Sequence, residues 1–121
     1  MLINFNTVNY YYLTCDTNSD RAKHIREEFK DYNITEINPK IGDGFHKFKS
    51  GASGHLRMID QGLKNQERNK LFQPFVLLED DVSIATKLDT LEIPDDTDLL
   101  YVGISPCGIK DTENMSGTYN L

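Results

Sequence analysis

A run with no polar side chain, Pro74-Phe75-Val76-Leu77-Leu78, passes directly into three consecutive carboxylates, Glu79-Asp80-Asp81. No other feature constrains the fold as strongly. Apolar residues on both sides of a short extended segment predict a strand covered on both faces, and therefore a central one. Three adjacent like charges repel, so they belong where that strand leaves the core. Such a strand needs packed layers above and below it, and the rest of the chain must supply them.

Alternating strand and helix signals meet that need. Tyr10-Tyr11-Tyr12-Leu13-Thr14 is aromatic-rich and ends in the polar cluster Asp16-Thr17-Asn18-Ser19-Asp20, a strand and its turn. Ala22, Ile25, Phe29 and Tyr32 then recur at spacings of three and four, predicting an amphipathic helix capped by Asn18 or Ser19. Ile34-Thr35-Glu36-Ile37-Asn38 is a short second strand stopped by Pro39, followed by a polar loop through Gly42, Asp43 and Gly44. A second helix is expected over residues 53–64, with Leu56, Ile59 and Leu63 as its buried stripe. Residues 65–70 connect it to the apolar strand. A further strand, Leu99-Leu100-Tyr101-Val102-Gly103-Ile104, follows the turn at Pro94-Asp95-Asp96, and residues 106–121 form a polar, flexible tail. Alternation of this kind predicts an α/β domain, a Rossmann-like, mostly parallel sheet with flanking helices.

Composition narrows the partners. At 121 residues the chain is one domain, or part of one, enough for one modest core. Nineteen acidic against 13 basic residues leave a net charge of −6, which argues against nucleic acid as a partner and against a polybasic membrane surface. No apolar run approaches membrane-spanning length, and the N-terminal residues lack the basic-then-apolar pattern of a secretory signal. Cys15 and Cys107 have no metal-binding spacing and fit free thiols in a reducing compartment, with a single disulfide as the alternative. The expected setting is cytoplasmic, or peripheral to a membrane.

Ligands of open α/β sheets gather outside the carboxyl ends of the strands. Side-chain alternation there places Glu79 and Asp81 to one side and Asp80 to the other. An acid-x-acid pair suits a hard divalent cation such as Mn²⁺ or Mg²⁺, which would neutralise a diphosphate leaving group. The competing reading is a solvated acidic turn, or a helix start favoured by the macrodipole. Arg21, just after the first strand's turn, is a candidate for a base or phosphate contact, or else a partner of Asp20 or Glu28. His55 opens the second helix as a site, capping or core residue, Arg57 faces either cleft or solvent, and His24 sits on a polar helix face. Neither a Walker-type loop nor GxGxxG is present, so a nucleotide would be held by metal and strand-end loops.

Several strings together resemble the family 25 glycosyltransferases, the lipooligosaccharide (lipopolysaccharide biosynthesis) and collagen galactosyltransferase type. Tyr11-Tyr12-Leu13-Thr14 with Ser19-Asp20-Arg21 is similar to that family's opening strand, loop and arginine. Gly51-Ala52-Ser53-Gly54-His55-Leu56 resembles its Gly-rich entry to a Ser-His-Leu helix start, although Gly54 stands where serine is usual and Ser50-Gly51 replaces a Gly-Cys pair. Phe75-Val76-Leu77-Leu78-Glu79-Asp80-Asp81-Val82 matches its acidic signature, and Asp98-Leu99-Leu100-Tyr101-Val102-Gly103 its following turn and strand. The resemblance implies a glycosyltransferase A type fold that transfers a hexose, often galactose, from a UDP-sugar to a glycan or a hydroxylated protein or lipid-linked acceptor. It implies Asp81 as a ligand of Mn²⁺, with Glu79 at the ribose or a metal-bound water. Thr14, Arg21, His55 and Asp80 would lie around the donor, and no residue is assigned as catalytic base. Complete members continue well past residue 121, so the expectation is the N-terminal, donor-binding half of the family fold.

Two rivals stand beside it. One is a non-catalytic nucleotide-sugar-binding or interaction remnant of such an enzyme. The other, more distant, is a receiver-like signalling domain, which would need its acidic pair after the first strand rather than after the third.

Overall fold

The computed structural model describes residues 1–39, 47–70 and 72–103 of the chain. Its elements run β1 (Leu2–Asn4), β2 (Asn9–Leu13), α1 (Asp20–Glu28), β3 (Asn33–Ile37), α2 (Lys47–Asn69), β4 (Phe75–Glu79) and β5 (Thr90–Glu92). The fold is mixed α/β. A three-stranded parallel sheet has the order β3-β2-β4, and β1 pairs with β5 in a separate antiparallel ribbon. The loop at 42–44, residue 104, Cys107 and the tail at 106–121 lie outside the described residues.

β2 is the centre of the sheet because three successive tyrosines can be buried only if both faces are covered. Tyr10, Tyr11 and Tyr12 are 5%, 1% and 3% exposed. On one face Tyr10 and Tyr12 join Ile25 and Phe29 of the α1 segment, with Ile3, Phe5 and Val8 from the N-terminal ribbon and Val76 and Leu78 of β4 packed alongside. Rings of Tyr10, Phe29 and Tyr32 meet at centroid distances of 4.9–5.8 Å. Each fully buried side chain of this kind contributes about 1.5–3 kcal/mol. The Tyr10 hydroxyl donates to the Phe5 carbonyl at 2.6 Å, and burial pushes its pKa up to about 12. Ser19 is the cap of α1, its Oγ accepting from the Ala22 amide at 3.1 Å.

The other face carries Tyr11 and Leu13 and is covered by α2. Here the structure corrects the expected helix. It runs over Lys47–Asn69, longer at both ends than residues 53–64, and its buried stripe is Gly54, Met58 and Gly62. Leu56, Ile59 and Leu63 are instead 67%, 40% and 54% exposed. Contact distance is the physical reason. A Cβ on Gly54 would sit 2.4 Å from Leu13 Cδ1, and one on Gly62 would sit 2.4 Å from Phe75 Cε2 and Cζ. Glycine lets the helix backbone lie directly on the strand side chains, and that outweighs its low helix propensity. Leucine on that face would hold the helix away from the sheet.

Two strand expectations also change. β4 lies beside β2 with its other edge unpaired among the described residues, so Phe75, Val76, Leu77 and Leu78 are half-buried rather than enclosed. The described part of the last expected strand, residues 99–103, is irregular, since it has no partner strand among the described residues. β1 and β5 were not expected at all. Their pairing sets Leu2 opposite Glu92, and the Met1 ammonium donates to Glu92 at 2.9 Å, the Ile93 carbonyl at 2.7 Å and Asp95 at 2.6 Å. Hydrogen bonds donated to Asp95 and then to Glu92 hold that amine above its usual pKa, and Asp95 is correspondingly lowered. Among the described residues no helix is long and apolar enough to cross a membrane.

Candidate functional site

Chain order in the parallel sheet reverses between β2 and β4. β2 leads through α1 to β3 on one side, and β3 leads back through α2 to β4 on the other. In sheets of this order the crevice outside the carboxyl ends at the reversal is where ligands bind. Register fixes what lies there: Leu13 is opposite both Ile37 and Glu79, so Thr14, Asn38 and Asp80 follow side by side.

Thr14 anchors the crevice floor. It is 1% exposed, its amide donates to the Ile37 carbonyl at 3.1 Å, and Asn38 Nδ2 donates to its carbonyl at 2.9 Å. The Thr14 hydroxyl donates to Asp80 Oδ2 at 2.9 Å. The other oxygen of Asp80 faces Arg21 Nη1 at 3.9 Å, a long and loosely held pair whose arginine side chain is 69% exposed. An exposed pair of this length adds little to stability, on the order of 0–1 kcal/mol, and leaves the guanidinium free to meet another anion. Arg21 is delivered by the first turn of α1, directly after the Ser19 cap.

Glu79 turns the opposite way, onto the α2 face. His55 Nε2 lies 3.2 Å from Glu79 Oε1. His55 follows Gly54, so the close approach of that glycine to Leu13 is what brings the imidazole within reach of the strand end. Asp81 occupies the turn after β4, exposed, with no hydrogen bond or ion pair among the described residues. Thus the structure gathers Thr14, Arg21 and Asp80 on one side of β4's end and His55 and Glu79 on the other, with Asp81 beyond them.

The loop after β2 is pinned from beneath. Tyr12 Oη donates to Glu36 Oε1 at 2.9 Å, Arg26 reaches both, and Arg26 Nη2 donates to the Thr17 carbonyl at 2.8 Å. Burial, more than any neighbouring charge, raises the Tyr12 hydroxyl. Asn38, Thr17, Glu36 and Arg26 were not singled out in the sequence; only the parallel register, which aligns Ile37 with Leu13, could have drawn attention to Asn38. His24 is exposed and lies 2.8 Å from Ser83 Oγ, Arg57 is exposed, and Cys15 beside Thr14 is an exposed free thiol.

A shallow polar cleft lined by Asn9, Tyr11, Asn65, Gln66, Asn69 and Phe75 opens at the amino end of the strands, far along the sheet from the carboxylates. It has room for little more than water, and the chemistry-bearing side chains are at the other end.

No three-ligand His, Cys, Asp or Glu group for a metal occurs among the described residues. Two carboxylates completed by phosphate oxygens nevertheless suit Mg²⁺ or Mn²⁺, which keep several coordination positions for water and substrate. Asp81 fits that role through its uncommitted carboxylate, and Glu79 through its 60% exposed side chain. No protein-family model matches the chain, and neither a curated protein nor a solved structure matches it.

Proposed function

We propose that the chain is a glycosyltransferase-like domain of the glycosyltransferase A type, binding a UDP-hexose through a divalent cation. UDP-galactose is the donor proposed, with the sugar passed to a glycan or hydroxylated acceptor. One observation carries the reading: residues from four separated segments, Thr14, Arg21, His55 and Glu79-Asp80, converge at the carboxyl ends of β2 and β4, where chain order reverses.

In this reading Glu79 and Asp81 hold the cation, which supplies charge neutralisation for the departing diphosphate. Arg21 exchanges its loose hold on Asp80 for a phosphate oxygen. Thr14 keeps Asp80 oriented beneath the nucleotide, and His55 fixes the Glu79 carboxylate. Calorimetry with UDP and Mn²⁺ tests this on the whole chain. Wild type is expected to bind with a Kd on the order of 0.1–1 mM, and Asp81→Ala to lose the metal-dependent part of the heat. No heat from wild type, or equal heats from both proteins, refutes the assignment. Binding without UDP release in the presence of acceptor glycans identifies the non-catalytic module instead.

A further inference from the structure

We infer that His24 and Glu28 are positioning residues for the acidic turn, a role that rests on the cation reading above. They hold the chain after β4 on one face of α1, so that Asp80 and Asp81 keep a single place at the crevice. Arg21, His24 and Glu28 stand at spacings of three and four, which puts them on the same side of the helix. They meet the returning chain in order. Arg21 Nη1 faces Asp80 Oδ1 at 3.9 Å, His24 Nε2 lies 2.8 Å from Ser83 Oγ, and Glu28 Oε1 accepts from Ile84 N at 2.9 Å. Seven residues of helix rise about 10 Å, and the four steps from residue 80 to residue 84 reach at most about 14 Å. Helix and returning chain can therefore run alongside each other with a turn to spare.

Glu28 is the most telling of the three. It is the last residue of α1, where a negative charge is unfavourable beside the helix's own terminal carbonyls. Its carboxylate takes the Ile84 amide, a charge-assisted hydrogen bond that offsets the misplaced charge. Val82 and Ile84 pack partly buried against the core, and Ser83 between them is exposed, so alternation delivers its hydroxyl to His24. The helix itself is a fixed platform, with Ala22 and Ile25 both at 0% exposure.

The three contacts divide the work. Glu79, Asp80 and Asp81 repel one another, and a turn held only by β4 would let them splay. A cation binds more tightly to carboxylates that are already held in place. Arg21 is the long and exposed contact, the one that leaves Asp80 for a phosphate. His24 and Glu28 grip residues 83 and 84 instead, so the turn does not follow the arginine when it moves.

Two measurements on the whole chain test this, comparing wild type with the double variant His24→Ala, Glu28→Ala. Hydrogen exchange at the Ile84 amide is expected to be about tenfold faster in the variant. Calorimetric titration of Mn²⁺ at saturating UDP is expected to give a Kd about tenfold weaker. Ser83→Thr, which keeps the hydroxyl, should bind Mn²⁺ like wild type, whereas Ser83→Ala should be weakened. Ile3→Ala, in the core at the N-terminal ribbon, should lower Tm and leave the Mn²⁺ Kd unchanged, separating positioning from stability. Unchanged Ile84 exchange, or equal Mn²⁺ affinity in wild type and double variant, overturns the positioning role alone. No heat from wild type refutes the donor reading itself, and the cation role of His24 and Glu28 with it.

Discussion

Replacing Gly62 by alanine sets two effects of opposite sign against each other in one helix. In an unhindered helix interior the change stabilises by about 0.5–1 kcal/mol, because glycine loses more backbone freedom on folding. At Gly62 the new Cβ would lie 2.4 Å from two ring carbons of Phe75 and 2.7 Å from a third. Ordinary carbon contacts are ~3.5–4 Å, so ring or helix must yield by roughly 1 Å. The ring is not free to do so without cost, since its edge packs on Tyr11 at a centroid distance of 5.8 Å. Overpacking of this kind costs about 1–3 kcal/mol. The net expectation is a loss of about 1–2 kcal/mol, or roughly 4–8 °C in Tm for a chain of this length. Ala52→Gly is the internal control: Ala52 is exposed on the same helix and should lose about 1 kcal/mol by propensity alone. Opposite substitutions in one helix should therefore both lower Tm in thermal unfolding followed by circular dichroism. A Gly62→Ala protein that melts higher than wild type refutes the packing argument.

Met58→Ala, at a site with 0% exposure, should cost about 2–4 kcal/mol, whereas Leu63→Ala on the outer face should stay within about 0.5 kcal/mol; denaturant midpoints measure both. Thr14→Val keeps the shape of a buried residue but removes the donor to Asp80, and should cost about 1–3 kcal/mol. Thr14→Ser should recover most of that loss, and a chemical-denaturation series compares the three. Tyr10 has a folded pKa of about 12, above its ordinary value near 10. Its contribution to stability is therefore complete below about pH 10 and lost as pH rises through about 12. Absorbance at 295 nm should show tyrosinate forming late, together with unfolding, and a Tyr10→Phe protein should show a smaller late step than wild type.

Local chemistry made most of the parallel sheet legible. The tyrosine run, the Ser19 cap with its three-and-four periodicity, and the apolar run before Glu79 each carry their signal within a few residues. α2 was legible as a helix but not as a packed one. Its leucines repeat at helical spacing, yet glycine and Met58 make the interface, because backbone proximity to Leu13 and Phe75 rewards smallness over bulk. β1 and β5 have only three residues each, and polar ones among them, so nothing short-range announces a pairing that exists only through residues far apart in sequence. The site divides the same way. Glu79 and Asp80 stand out as charges at a strand end and Arg21 as a cation just past a strand's turn, whereas Thr14 and His55 are assigned to the donor by the family resemblance. Asn38 and the Tyr12–Glu36–Arg26 support depend on strand register, which no single segment encodes.

The clasp between the chain's first residues and its ninetieth bears on the order in which the protein is made. Met1 is made before its partners, Glu92, Ile93 and Asp95, which lie 91, 92 and 94 residues later. On a ribosome adding about 5–20 residues per second, β1 therefore waits several seconds before its partner strand exists. Ile3 and Phe5, both in the core, wait with it. Contacts of such long range come with a loop-closure cost that slows folding. β2, α1 and β3 have no such delay and can assemble while the rest is still being added. Among the described elements the ribbon of β1 and β5 is thus the last to close, completed by the segment that emerges after the acidic turn.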